Sequence, residues 1–308
     1  MNFSSYKFKE IWVTILKVLI IVLAITVLVS SFKDKTAGDW KSFIEKVNHH
    51  FSYNVLLGLL ILAFFNRFFE ILKWQLLAND IQSTNLWQAT KQVMSAIAFA
   101  VITPNGIGEY AAKTIFFKKI YAKKVVFYNF MCNGMQMICT ILFGILGLWM
   151  LHFKMVVGII IMVIVLFLLV YVLIKNVQIK GYTLASLAQK WKQVPNNIQK
   201  KVFGLSVGRY VFFSHQYVLI FYVLGSTSAY PEMMAAIAAM YFISSSLPSF
   251  QFLDFLVKGS VGIFIFGKIQ IPESDVLFAS LIIWLYNVVL PISVGLIGII
   301  GLKIPYKS

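Results

Sequence analysis

ITPNGIGEYAAKTIFFKK, residues 102–119, follows directly on the apolar run MSAIAFAV, and the fold turns on how it is read. Pro104 cannot donate a ladder hydrogen bond, while Gly106 and Gly108 let the backbone turn sharply and be approached closely. The apolar stretch 92–117 therefore divides into halves of about 10 to 16 residues, short for crossing about 30 Å of hydrocarbon and better suited to a re-entrant or broken helix. A helix beginning between Asn105 and Gly108 would present free N–H groups and the positive end of its dipole, a setting that attracts phosphate or carboxylate. The plainer reading is a Pro-Gly turn between two ordinary helices. NGIG lacks the third glycine and the preceding strand of a dinucleotide fingerprint.

The rest of the chain is consistent with a membrane setting. It has 308 residues, 60% of them hydrophobic and 12% charged, with a mean hydropathy of +0.83, more apolar surface than a soluble core of that length can hide. Spanning helices are expected at 11–32, 53–72, 126–151, 155–174, 204–224 and 276–302, each long enough at about 1.5 Å per residue. A cleaved signal peptide competes for the first, since Lys7 and Lys9 precede it. A second interrupted stretch, 233–266, breaks at Pro248.

The excess of 27 Lys+Arg over 11 Asp+Glu lies between greasy runs, which points to anionic headgroups and the positive-inside bias rather than to nucleic acid. With the N-terminus cytoplasmic and both broken segments returning to the side they left, the lysines of 118–124, 175–201 and the C-terminal tail fall inside. The lysine-poor loops 152–154 and 225–231 fall outside. The loop 32–50 dissents, although its lysines are partly balanced by Asp34, Asp39 and Glu45.

The region around Pro104 recurs around Pro248. Arg67 and Arg209 precede the two prolines at similar distances, and after them come EYAAK, from Glu109 to Lys113, and DFLVK, from Asp254 to Lys258, each followed by a long closing helix. Two units, about 51–151 and 204–302, are expected within one integral membrane domain covering 1–308. Three crossings between their starts would make them inverted, the plan of many secondary transporters. The expected fold class is an all-α polytopic membrane protein of about six spans plus two re-entrant hairpins.

Ionisable residues in spanning segments usually face the protein interior or a wet cavity. Glu109 with Lys113, and Asp254 with Lys258, lie one helical turn apart and can either neutralise each other or meet a ligand. Arg67 is placed to pair with Glu70 at i+3, Lys73 to snorkel, and Arg209, with no acid within a turn, to find a distant partner or a lipid phosphate. KKIYAKK at 118–124 reads as a positive-inside flank or a headgroup platform. In the connector 175–201, Leu184, Leu187, Trp191 and Val194 recur at helical spacing, which predicts an interfacial amphipathic helix, with a solvated loop as the alternative. Cys132 and Cys139 fall on one helix too far apart to pair. No HExxH or CxxC occurs and the four histidines show no ligand spacing, so neither enzymatic activity nor a cofactor or metal is expected.

TPNGIGEYAAK, preceded by the arginine-bearing NRFFEILKWQ in a chain of about 300 greasy residues, resembles the flippase-like domain family, which includes the membrane region of lysylphosphatidylglycerol synthases. The resemblance implies an integral membrane fold with re-entrant helices and, for the best understood members, movement of an aminoacylated phospholipid between leaflets. Together with the charge count, which places both termini in the cytoplasm, the expected function is a bacterial inner (plasma) membrane translocase of a phospholipid or lipid-linked intermediate with an anionic or zwitterionic headgroup. The resemblance supports Pro104, Gly106, Gly108 and Glu109 as site residues, and Arg67 less directly. Together with Asn105, Lys113, Arg209, Asp254 and Lys258 these form the expected substrate-binding set. Two departures matter. The soluble aminoacyl-transferase domain of the synthases is expected to be absent, and PSFQFLD in the second unit lacks the glycines of PNGIGE. A lipid-binding accessory protein serving a partner synthase, or a membrane-embedded transferase, are the competing functions, and a homo-oligomer is a further possible assembly.

Overall fold

The computed structural model describes residues 36–101, 103, 106–178, 183–248, 250 and 253–300, with single positions between 15 and 33. Among the described residues the chain is helical throughout, with no strand. α1 (Ala37–His50) starts at a capping box of Thr36 and Asp39, and α2 (Tyr53–Asn79) runs 27 residues. The first hairpin is α3 (Leu86–Val101) and α4 (Ile107–Thr114), followed by α5 (Ala122–Met150), α6 (Lys154–Ile174) and the short α7 (Leu184–Gln193). The second half repeats the order with α8 (Asn196–Val223), the hairpin α9 (Tyr230–Ser246) and α10 (Asp254–Phe266), then α11 (Glu273–Trp284) and α12 (Leu290–Ile300), joined by a π turn, Leu285–Val289.

Four helices among the described residues are long and apolar enough to cross a membrane: Tyr53–Asn79, Lys119–Met150, Lys154–Ile174 and Glu273–Gly295. The expected six are not reached. The run 11–32 lies almost wholly outside the described residues, and α8, though 28 residues long, carries Arg209, Ser214, His215 and Gln216 through its middle. Arg209, Ser214 and Gln216 serve the interior, whereas His215 pairs with the Tyr230 hydroxyl at an exposed position. Ser214 and Gln216 are fully buried.

Packing follows the two-unit order. α2 crosses α8 at the centre, where a Cβ on Gly208 would come within 2.3 Å of the Phe69 ring. Each hairpin lies on the closing helix of the other unit: α3 against α12, and α9 against α5. Glycines set both contacts, since a Cβ on Gly295 would meet the Met94 carbonyl oxygen at 2.5 Å and one on Gly147 the Ala235 carbonyl oxygen at 2.4 Å. The hairpins open toward opposite ends of the bundle. The first opens beside Asp80, Tyr121 and the end of α7, and the second beside His152, Gly225 and Gln270, where Ser228 donates to the Ile269 carbonyl at 3.0 Å.

The connector helix forms where its stripe predicts, capped by Thr183 and Ser186, but the stripe is shared between two environments. Val194 is buried and Trp191 packs edge-on against Phe127, so half of it binds the protein, while Leu184 and Leu187 stay exposed. α6 is the opposite case. Val157 is its one buried residue, as suits a helix surrounded by lipid.

Candidate functional site

The α2–α8 crossing holds a buried polar cluster inside an otherwise apolar bundle. On α2, Asn66, Glu70 and Lys73 recur at i, i+4 and i+7 and therefore share a face. All three are buried, Lys73 completely. Lys73 does not snorkel: its ammonium lies 3.1 Å from Glu70 and donates to Gln136 Oε1 on α5 at 3.2 Å. The expected Arg67–Glu70 pair is also replaced. Glu70 takes Arg209 from α8 as its ion-pair partner, and Arg209 Nε donates to Asn66 Oδ1 at 2.9 Å. Arg209 thus finds a protein carboxylate across the bundle, a partner that reading along its own helix does not reveal.

Arg67 instead reaches the π turn of the closing helix. Pro291 has no N–H to give the carbonyl four residues earlier, which belongs to Asn287. The Asn287 carbonyl accepts from Arg67 Nη2 at 2.8 Å. The Asn287 side chain accepts from Asn66 Nδ2 at 2.6 Å and donates to Gln216 Oε1 at 2.6 Å. Four helical segments, α2, α5, α8 and the π turn, are tied together here. Arg67 Nε remains buried without a hydrogen-bond partner, an uncommon and costly state for a charged group.

This cluster forms one wall of a cavity of about 340 Å³. Of the expected site residues, Arg67, Arg209, Asp254 and Lys258 line it, beside Asn66, Gln136 and Asn287, which the sequence reading missed. Asp254 and Lys258 form the predicted i,i+4 pair at 2.5 Å, each about a quarter exposed. The Lys258 ammonium also stands 5.2 Å from the Tyr241 ring centre. The cavity wall therefore carries Arg67, Arg209 and Lys258 against the single carboxylate of Asp254.

Glu109 and Lys113 sit apart from that wall in an adjoining nest of the first unit. Their ion pair is 2.8 Å long, with the lysine side chain fully buried and the glutamate 21% exposed. Lys113 also donates to Asn129 Oδ1 at 2.6 Å and stands 4.3 Å from the Trp74 ring centre. The same device thus occurs in both units: a lysine paired with an acid one turn earlier and set against an aromatic face.

The opening stretch behaves partly as expected. Gly106 caps α4 with φ of +67°, a conformation suited to glycine, and a Cβ on Gly108 would lie 2.3 Å from the Phe99 carbonyl oxygen. The expected free N–H groups are reduced by two, because the Gly106 N–H donates to the Thr103 carbonyl at 3.3 Å and the Gly108 N–H to Thr103 Oγ1 at 2.8 Å. Pro104 and Asn105 lie outside the described residues. Sequence signals for the missed residues did exist in the polar i, i+4, i+7 face of α2 and in Pro291 four positions after Asn287.

Compared with known proteins, this chain matches no family model, no curated protein and no solved structure.

Proposed function

We propose that this protein is a lipid translocase of the flippase-like kind, in which the cavity at the α2–α8 crossing takes the phosphate of a phospholipid or lipid-linked intermediate on its way between leaflets. The observation that carries this reading is the buried Arg67 Nε–H with no partner, on a cavity wall where Arg209 and Lys258 are already paired with Glu70 and Asp254. A phosphate oxygen would supply the missing acceptor, and a guanidinium fork suits that geometry. The volume falls in the usual range for ligand sites, about 300–1,000 Å³.

The matched packing of the hairpins supports an inverted repeat, because each lies on the closing helix of the other unit and the two open toward opposite ends. On this reading about six helices span the bacterial inner membrane with both termini cytoplasmic, and the basic end that holds 118–124 faces the cytoplasm. Alternate opening toward the two hairpin mouths would expose the central cavity to one leaflet and then the other.

The test is leaflet exchange in reconstituted vesicles. The full chain should move a headgroup-labelled phosphatidylglycerol faster than protein-free vesicles, and Arg67→Gln should slow it about 10-fold or more, the loss of one charge-assisted hydrogen bond. Arg67→Lys should rescue only in part, since it keeps the charge but not the fork. Lipid retained through purification with no exchange in vesicles would replace transport with an accessory, lipid-holding role.

A further inference from the structure

Charge around the central cavity does not balance. Among the described residues, Arg67, Lys73, Arg209 and Lys258 supply the cations of the cavity wall and of the cluster behind it, against the carboxylates of Glu70 and Asp254. Lys258 and Asp254 cancel each other. Glu70 serves Arg209 and Lys73 together, both on one oxygen, while the hydrogen-bond partner of Arg67 is the neutral Asn287 carbonyl. The adjoining Glu109–Lys113 pair adds no net charge. The wall and its cluster therefore carry a surplus of two positive charges, in a setting where uncompensated charge is costly.

We propose that the ligand of this cavity is a lipid whose headgroup is a bare phosphate, a phosphomonoester with two negative charges, in preference to a phosphodiester with one. The proposal rests on the reading of the cavity as a lipid-phosphate site and narrows it.

The neutral groups of the lining point the same way. Asn66 donates to Asn287, Asn287 donates to Gln216, and Gln136 is held between the Lys73 ammonium and the Ser206 carbonyl. The hydroxyls of Thr140, Ser245 and Ser280 are engaged with the Gln136 carbonyl, the Tyr241 carbonyl and the Tyr217 hydroxyl. A glycerol or sugar headgroup brought here would bury alcohols short of partners, at a cost. An ammonium headgroup fares no better, since Asp254, the carboxylate on the lining, already holds Lys258. A doubly charged phosphate presents acceptor oxygens alone. Arg67 Nε, buried without a partner, and the Tyr241 hydroxyl on the same lining are donors for them.

The test compares two lipids with the same acyl chains, phosphatidic acid and phosphatidylglycerol, for binding to the full chain in phosphatidylcholine nanodiscs. Bound lipid is counted by mass spectrometry of the intact complex at about pH 8, above the second ionisation of a phosphomonoester at about 6. Phosphatidic acid should bind about 10-fold or more tightly, the scale of one charge-assisted hydrogen bond. Arg67→Gln should erase most of that preference. The Asp254–Lys258 pair, about a quarter exposed, gives a second check that does not depend on a buried arginine surviving substitution. Asp254→Asn raises the surplus and should tighten phosphatidic acid, whereas Lys258→Met lowers it and should weaken the same lipid. Weakening by both changes would mark the pair as structural and overturn the proposal. Equal affinity of the unmodified chain for the two lipids would overturn it while leaving the lipid-phosphate reading of the cavity intact, and binding of neither would remove both. Displacement of phosphatidic acid by millimolar inorganic phosphate would also overturn it, assigning the cavity to the free ion.

Discussion

Glu70 sits where two cations meet, with part-buried Arg209 and fully buried Lys73 on one carboxylate oxygen and the Cys132 thiol 3.6 Å from the other. Removing one partner of a buried pair leaves the remaining charge uncompensated, at about 3–5 kcal/mol. Glu70→Gln should therefore lower the melting temperature in detergent sharply, and adding Arg209→Met should recover part of the loss. Strict additivity of the two changes would show that they are not coupled. Asp80 gives a pH-dependent counterpart outside the spans. Burial pushes its carboxyl up, but hydrogen bonds from Lys124 and Tyr128 and the lysine charge outweigh this and hold it below the usual range. A depressed carboxylate contributes stability above its unfolded value and loses it as pH falls through the folded one, so the tie between α2 and α5 should weaken below about pH 4. Asp80→Asn should flatten that part of an acid-stability profile, and an unchanged profile would remove Asp80 from its cause. At this scale the sequence was half legible. Charges in grease mark Arg67, Arg209 and Lys258, but which partner Arg67 and Arg209 take depends on the helix crossing and on the Asn287 carbonyl of the π turn, neither of which is local.

The hairpins show what elements owe to small residues. The breaks at Pro104, with its glycines, and at Pro248, without them, announce both interrupted helices, and the structure adds why each hairpin can lie so close to the other unit's closing helix. Gly147 faces the Ala235 carbonyl, whereas a Cβ on Gly158 would meet nothing within 4 Å. Gly147→Val should accordingly destabilise the α5–α9 contact by about 1–3 kcal/mol, while Gly158→Ala should be neutral or slightly stabilising. Equal melting shifts for the two would contradict glycine-set packing. Two elements departed from the sequence pattern for the same reason. α8 is more polar than a lipid-facing span because its polar side faces α2, and the α7 stripe is divided because Trp191 and Val194 find protein where a lone amphipathic helix would find lipid. Periodicity reports which residues avoid water and is silent on whether lipid or protein covers them.

At the scale of the molecule, composition alone makes the membrane setting legible, whereas the relation between the halves turns on how many helices cross. Between Lys123, at the mouth of the first hairpin, and Thr227, beside the mouth of the second, the chain runs through α5, α6 and α8. If each of the three crosses, the number is odd and the two residues lie on opposite sides of the membrane. α8 is the crossing in doubt by hydropathy, yet it is 28 residues long, about 42 Å at 1.5 Å per residue, ample for the hydrocarbon core. Arg209 and Gln216 are engaged by α2 and the π turn and so need not face lipid. Cysteines placed one at a time at Thr227 and Lys123 supply the measurement, against a background in which Cys132 and Cys139 are buried. A membrane-impermeant maleimide applied to intact cells should label Thr227→Cys and reach Lys123→Cys only after permeabilisation, since the lysine-rich end is retained inside. Labelling of both positions from one side would mean an even number of crossings. The hairpins would then share an entrance, and alternate opening of one central cavity toward two leaflets would have no structural basis.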